Sequence, residues 1–546
     1  MRQRGQRVLV LIAAVAVATA SVVAGATAGA STGQRASTGG GGDGILRYGL
    51  EAETDGLNPT VNRFAIAAYS MGQAVFDPLF RVGNDGKFHP HLLESATPSS
   101  DYTYWDLKAR ENIEFHDGTP FNAEAMKANL DASLSDPLIG LAIRDFFPTD
   151  SDPFEVMDEL TLRVHMDGPN PHLPQYLVAQ IGYMASPTWM AAAKANPDLN
   201  QEPVGTGPFV FESRVQDSST TFLRNDNYWR GKVKLEGIEF VIQTDPARRA
   251  DQLLSGAIDV MHTSDPSTIK SLESEDVQQF SQDHGEEGFL MINSQEPPFD
   301  DIRAREALTL ATPPKDYMKI LGQGVVDQAE TMFHPSLPFN NPKVKQKTDK
   351  PAAAKKLAKE YCAEFPDNCE GDKIKFTYKY TGPSEVLELT ADVMIDGWKT
   401  AFAVEREQLL QDDYILGVAT GNYQVVIWRQ FGADDPDGDF TWLDCRHVGD
   451  KGALSITWTR WCDDEIQALG LEQRATDSKK EQARIWKKIT ALLNKDFVYI
   501  FLIHDEWLVA ANNRVKNVVV AKQADGKGKT VLGNGTHSMW QMSMSG

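Results

Sequence analysis

The stretch Ile238-Glu239-Phe240-Val241-Ile242, followed by Asp245-Pro246 through Leu254-Ser255-Gly256 and then Ala257-Ile258-Asp259-Val260-Met261, changes character twice within a short span. The first segment is apolar and β-branched, as a buried strand is. The second opens on Asp-Pro, where a missing N–H costs a helix nothing, and closes on Gly just past its end. The third is again a strand. Strand, helix and strand in this order form a βαβ unit, whose right-handed crossover places the two strands parallel in one sheet.

A second such series begins at Lys373. Ile374, Phe376, Tyr378 and Tyr380 alternate with polar residues, and Val386, Leu389, Val393 and Trp398 follow at helical spacing. A strand over 403–409, a helix from Asp412 and a strand over 423–428 complete it. The two series lie far apart in the chain, so they predict two separate, mostly parallel sheets and an α/β fold. Ile45 to Leu50 reads as a further strand that ends in the polar loop Glu51 to Pro59. Near the C-terminus, Ser478-x-x-Glu481 is a capping box ahead of Ile485, Trp486, Ile489, Leu492 and Leu493 on one helical face, and Val498 to Ile503 reads as a buried strand. No internal repeat is visible, so the two sheets read as lobes rather than duplicates.

With 546 residues, the chain exceeds what one hydrophobic core serves. Its 41% apolar and 24% charged residues supply real cores. The formal charge is −22, and no basic stripe alternates with aromatics, so nucleic acid is not expected as a partner.

Arg2, Arg4 and Arg7 precede an uncharged run from Val8 to Ala30 that ends in small-x-small cleavage sites. Residues 1–30 are therefore expected to be a secretory signal, with an uncleaved anchor as the alternative, because the run nearly reaches the roughly 20 residues that span a bilayer. No cysteine stands at the junction for lipid attachment, and residues 31–44 read as a flexible Gly/Ser-rich linker. The expected location is periplasmic or at the cell surface. Cys362, Cys369, Cys445 and Cys462 fall as two near pairs, which in an oxidising compartment suggests two local disulfides among the three possible connectivities.

Three motifs imitate chemistry. His116-Asp117 could be imagined as a base and its orienter, but His-Asp-Gly-Thr-Pro is a turn sequence whose adjacent side chains point apart. Gly526-Lys527-Gly528-Lys529-Thr530 resembles the end of a phosphate loop, but Gln523 stands where its first glycine belongs, so a basic surface turn is expected. Asp435, Asp437 and Asp439 have calcium-loop spacing, but Phe440 and Arg446 occupy the positions of the required glycine and glutamate. With no nucleophile elbow and no zinc motif, no enzymatic activity, catalytic residue, metal or cofactor is expected.

Several blocks occur in a telling order: Phe76-Asp77-Pro78-Leu79-Phe80; Phe115-His116-Asp117-Gly118-Thr119-Pro120-Phe121-Asn122-Ala123; Val204-Gly205-Thr206-Gly207-Pro208-Phe209; Tyr228-Trp229; Ser255-Gly256-Ala257-Ile258-Asp259-Val260; and Asn293 through Pro297-Pro298-Phe299-Asp300-Asp301 to Arg305. From Leu46 to about Asn517 the chain resembles the family 5 extracellular solute-binding proteins of ATP-binding-cassette (ABC) importers, which include dipeptide, oligopeptide and nickel-chelate binders. The resemblance implies the two-lobed type II fold of periplasmic binding proteins, hinged between lobes. Lobe I would take residues 45–70, 201–288 and 508–546, an inserted subdomain 71–200, and lobe II 289–507. The chain would cross between lobes near Gly288 and Asp505.

A peptide or peptide-like solute would be captured in the cleft by hinge closure and delivered to a permease and its ATPase subunits, by a monomeric receptor without covalent chemistry. Metal chelates, oligosaccharides, opine-like compounds and a sensory role are the alternatives. In peptide-binding relatives an aspartate four residues before the Asp-Pro proline pairs with the ligand's α-amine. Here Pro436 is that proline and position 432 is Gly432, in a segment one residue longer. Asp434 or Asp435 would have to take over, or the ligand lacks a free amine. The remaining expected cleft residues are Glu51, Glu53, Tyr69, Arg144, Trp428, Phe431 and Trp442, with Gly205 and Thr206 shaping a close backbone approach.

Overall fold

The computed structural model describes residues 44–545 except 138, 283–285, 434 and 534. The expected signal and nearly all of the linker, and Asp434, thus lie outside the described residues. The first sheet has seven strands, in the order Gln278–Gln282, Trp507–Ala511, Val260–Thr263, Ile45–Leu50, Gly237–Ile242, Ser219–Arg224, Phe209–Val215. The second has seven: Asp327–Gln328, Tyr499–His504, Glu287–Ile292, Val425–Gln430, Lys373–Thr381 and Cys369–Glu370, with Phe402–Leu409 also paired to Lys373–Thr381. The chain passes from the first sheet to the second between Gln282 and Glu287, and returns between His504 and Trp507.

The sequence predicts mostly parallel sheets; these are mixed. Ile45–Leu50 runs parallel to both of its neighbours, and Lys373–Thr381 runs parallel to Phe402–Leu409 and Val425–Gln430, while the other ladders are antiparallel. The reason lies in the connections. Parallel strands need a crossover of a dozen or more residues, as the helix Glu385–Trp398 supplies between neighbours and Pro246–Leu254 supplies between the two strands that flank Ile45–Leu50. Strands joined by a short turn, such as Phe209–Val215 to Ser219–Arg224, can only return antiparallel.

Period-two alternation sorts side chains onto the two faces of each sheet. In the second sheet Leu290, Ile292, Ile500 and Leu502 enter one core, whereas Phe289, Met291, Tyr499 and Phe501 enter the other. In the first, Val260, Val509 and Ala511 pack with Tyr48 and Phe240, and Met261, Leu508 and Ala510 pack with Leu253. Ser478 caps the helix Lys479–Asp496 by accepting from the Glu481 N–H, and Ile485, Trp486, Ile489 and Leu493 are buried in the second sheet's core. The cysteines form Cys362–Cys369 and Cys445–Cys462, closing separations of 7 and 17 residues.

Residues between the first sheet's segments build a third core around the antiparallel sheet Leu93–Pro98, Tyr104–Ala109, Thr161–His165, Phe154–Val156 and the helix Ala123–Ser135. Asp77 stands where this subdomain joins the first sheet, fully buried. It accepts from His91 Nε2 (2.8 Å), Trp229 Nε1 (2.9 Å), the Tyr228 hydroxyl (3.1 Å), the Thr206 hydroxyl (3.3 Å) and Arg81 Nη2 (3.5 Å). Burial alone raises a carboxyl's pKa, but His91, Arg81 and Trp229 outweigh it and hold Asp77 well below the usual carboxylate range.

An Asp77→Ala variant strands these donors in an apolar junction. We expect it to lose about 3–5 kcal/mol of unfolding free energy in urea titrations, with Asp77→Asn losing less.

Candidate functional site

A cavity of about 290 Å³ opens between the two sheets and the inserted subdomain. Ile66 and Tyr69 reach it from the helix Ile66–Val75; Arg81, Gln175, Val178 and Tyr183 from the subdomain; Gly432 and Ala433 from the loop after Val425–Gln430; and Thr530, Val531, Thr536, His537 and Ser538 from the C-terminal segment. Gln282 and Glu286, which flank the first crossing between sheets, complete the wall. The volume falls at the lower end of the roughly 300–1,000 Å³ typical of small-molecule sites.

Tyr69 lies in this wall, and burial together with the Glu286 carboxylate pushes its phenol up to about 12. The other described residues among those predicted from sequence do not line the cavity, and Asp434 lies outside the described residues. Glu51 pairs with His262, and that partner outweighs burial to hold its carboxyl at about 2. Glu53 accepts from Arg214 (2.8 Å) and the Asp217 N–H (2.8 Å), fastening the loop to a neighbouring hairpin. Arg144 is exposed on the subdomain. A Cβ on Gly205 would stand 2.1 Å from the Val75 carbonyl, so Gly205 permits a close backbone approach, but to the end of a helix rather than to the cavity. Thr206 is spent on Asp77.

Trp428 stacks on Tyr414 (5.4 Å between centroids) and meets Trp458 edge-on (4.5 Å), which in turn packs against Trp442 (4.9 Å). Phe431 is buried against Phe289, Tyr499 and Phe501. These aromatics belong to the second sheet's core. Phe431 and Gly432 both have positive φ, 69° and 81°, as the chain turns out of its strand. Gly432 thus answers a backbone requirement at the point where it meets the cavity.

Asp435 is not free to receive a ligand amine. It accepts from His172 Nδ1 (2.8 Å) and Gln482 Nε2 (2.7 Å), and its N–H donates to Gln175 Oε1 (3.0 Å). His172 Nε2 lies 3.0 Å from the Thr476 carbonyl, so both ring nitrogens face acceptors, and Asp435 overcomes burial to raise the His172 pKa. Tyr176 donates to Asp437 (2.6 Å), and Arg474 pairs with Asp437 (3.0 Å) while lying over the Phe146 ring (4.3 Å). Asp435 and Asp437 are thus joints between the subdomain and the second sheet, whereas Asp439 accepts from the Ala433 N–H of its own loop (3.4 Å).

At the crossings between sheets, Arg429 pairs with Glu286 (2.9 Å), approaches Asp505 (3.6 Å), donates to the Ser264 hydroxyl (2.8 Å) and covers the Trp507 ring (4.8 Å). Burial pushes Asp505 up to about 7 against the pull of Arg429.

Asp145, Asp444 and His447 come within 4.8 Å of one another, the one metal-like group among the described residues. Arg446 pairs with Asp444 at 2.6 Å and Arg474 lies 3.8 Å from it, so the protein's own cations already neutralise the carboxylates. His116 donates to, or accepts from, groups of the 205–207 backbone, and Asp117 caps its own turn at the Thr119 N–H (3.0 Å), as a structural turn does.

A sequence profile described as bacterial extracellular solute-binding proteins, family 5 Middle, matches residues 87–451. The chain belongs to this family. The solute-binding protein is 22% identical over 478 residues to the nickel-binding periplasmic protein of Escherichia coli (strain K12), covering 82% of this chain and 87% of that one. It is also 22% identical over 497 residues to the dipeptide-binding protein of the same strain, with coverage of 87% and 92%. Among solved structures, the ABC transporter-associated periplasmic binding protein DppA from Helicobacter pylori, in complex with peptide STSA, superimposes with a TM-score of 0.80 at 19% identity, covering 92% of this chain and 99% of that one. The two-lobed type II fold follows. No helix among the described residues is long and apolar enough to cross a membrane.

Sequence reasoning misses Arg81, Gln175, Tyr183, Gln282, Glu286 and, near the C-terminus, Thr530, Val531, Gly533, Thr536, His537 and Ser538 of this solute-binding protein. They come from segments far apart in the chain, and no spacing rule joins them. Thr530 even belongs to the turn that resembles a phosphate loop.

A raised histidine pKa contributes stability that is complete below the ordinary value of 6.5 and lost as pH rises through the folded value. Thermal unfolding midpoints should therefore fall between pH 6 and 9 more steeply in the wild type than in a His172→Gln variant.

Proposed function

We propose that this protein is the extracytoplasmic receptor of an ABC importer, which encloses a small peptide or peptide-like solute in the cavity and presents it to a membrane permease with its ATPase subunits. One observation carries the reading: a cavity built from both sheets and the subdomain, lined by amide and hydroxyl side chains beside apolar ones. Such a site binds by shape and hydrogen bonding and releases its cargo unchanged.

In this reading residues 45–70, 201–288 and 508–546 act as one lobe with 71–200 as its inserted subdomain, and 289–507 as the other. The chain's return between the sheets at 505–506, beside Glu286, is part of the hinge, and the His172 and Arg474 joints hold the closed arrangement. Tyr69, Gln175, Tyr183 and Glu286 contact the solute. The receptor works as a monomer, exported by residues 1–30. The names of its relatives support solute capture, and a dipeptide-binding protein and a peptide complex stand among them. The nickel-binding relative favours a metal chelate less strongly here, because the Asp145, Asp444 and His447 group is not part of the cavity wall.

Protein purified without unfolding, then denatured, should release a small amide-containing molecule detectable by mass spectrometry. Recovery of non-amide molecules alone would overturn the peptide assignment. Incubation with peptide and ester mixtures should yield no products, and steady turnover would mean that the protein is an enzyme.

A further inference from the structure

His172 extends from the inserted subdomain into the seam with the second sheet, and the partners of its ring stand on the far side of that seam. Nδ1 lies 2.8 Å from Asp435 Oδ2, and Nε2 lies 3.0 Å from the Thr476 carbonyl and 3.3 Å from that of Gln473. From its own subdomain, Asn170 Oδ1 accepts the His172 backbone N–H (2.9 Å). The residue is buried. A neutral imidazole has one N–H and cannot donate on both sides, whereas the imidazolium can. Acceptors at both nitrogens, one of them a carboxylate, therefore select the charged ring.

The charged and titratable groups around it come from each element packed there. Asp437 pairs with Arg474 (3.0 Å) and accepts from Tyr176 (2.6 Å), and Asp477, next to Thr476, accepts from the Tyr102 hydroxyl (3.1 Å). The other donors to Asp435, Gln482 Nε2 (2.7 Å) and the Asp437 N–H (3.1 Å), are neutral, so His172 is the cation that answers its charge.

We propose that closing of the cleft takes up a proton at His172, so that a proton is a second ligand of the closed form. This rests on the hinged-receptor reading above. Parting the seam replaces Asp435 and the two carbonyls by water, and the ring returns to its ordinary behaviour. Well below pH 6.5 both forms hold the proton and closure is indifferent to pH. Between 6.5 and the raised value of the closed form, the open form loses its proton first, and rising pH disfavours closing. By reciprocity, a solute that binds the closed form is held more tightly with the proton than without it. The receptor thus gives up its cargo more readily in alkaline surroundings.

Two other groups bear on the same closure. Asp505 is pushed up to about 7 beside Arg429, and Asp145 of the subdomain meets His447 (3.1 Å) and Arg446 (3.4 Å) across the seam. Both remain in a His172→Gln variant, so its difference from the wild type isolates His172.

The test is single-molecule energy transfer between dyes attached through Lys194→Cys, exposed on the subdomain, and Lys359→Cys, exposed on the other lobe, the native cysteines being held in disulfides. In protein stripped of co-purified solute, the closed-to-open ratio should fall about threefold or more from pH 6.5 to 8.5. His172→Gln should keep only the smaller part of this fall, and Asp435→Asn should fall less than the wild type. No fall in the wild type, or an equal fall in His172→Gln, would overturn the inference and leave the hinged reading standing.

A single distance at every pH, the same in stripped and as-purified protein, would mean that the lobes do not open and close, and the hinged reading fails together with the inference. If the stripped protein is open throughout and the as-purified protein closed, NMR of Cε1-labelled histidines decides, with His172 assigned by its loss in His172→Gln. A midpoint above 6.5 in the as-purified protein that drops on stripping upholds the inference, and the same midpoint in both overturns it.

Discussion

A single buried carboxylate, Asp77, fixes how the inserted subdomain meets the first sheet. An ion removed from water is tolerable only when hydrogen bonds and opposite charge replace its hydration. Asp77 obtains them from Arg81, His91, Thr206, Tyr228 and Trp229, which arrive from three separate stretches of chain. Their relative positions are therefore determined together. Arg81 is also part of the cavity wall, so the junction that holds the subdomain in place also engages a charge at the cavity.

The same economy of charge recurs on the opposite side of the cavity. Arg429 projects from the second sheet toward Ser264 and Trp507 of the first, with Glu286 and Asp505 beside it at the two crossings. The contacts of His172 with Asp435 and of Arg474 with Asp437 and Phe146 join the subdomain to the second sheet. Polar and charged groups concentrate at these joints, while the sheets themselves are held by apolar burial on both faces. That division suits a molecule whose lobes stay rigid while the contacts between them are made and broken.

Much of the fold was legible because it depends on local pattern. The alternation in Lys373–Thr381, the Pro246 start of the helix Pro246–Leu254 and the Ser478 cap each reflect backbone geometry within a few residues. Strand direction was read less well, since the hairpins that make the sheets mixed depend on which neighbours a strand finds. The site was the least legible part. Tyr69 lies in the cavity wall, whereas Trp428, Phe431 and Trp442, which look like ligand-sandwiching aromatics, form a core cluster. Asp435 looks like an amine partner but answers His172.

The sequence by itself determined the α/β elements, the two separate sheets, the family to which the chain belongs and the lack of a catalytic motif, because periodicity, capping and ordered blocks are properties of neighbouring residues. Only the tertiary structure decided which groups face the cavity and which charges remain available there. Whether a carboxylate is free or committed depends on residues hundreds of positions away, as Asp435 and His172 are separated by 263. Gly432 joins the two levels: its position was read from the sequence, and its positive φ and place in the cavity wall were visible only once the chain was folded.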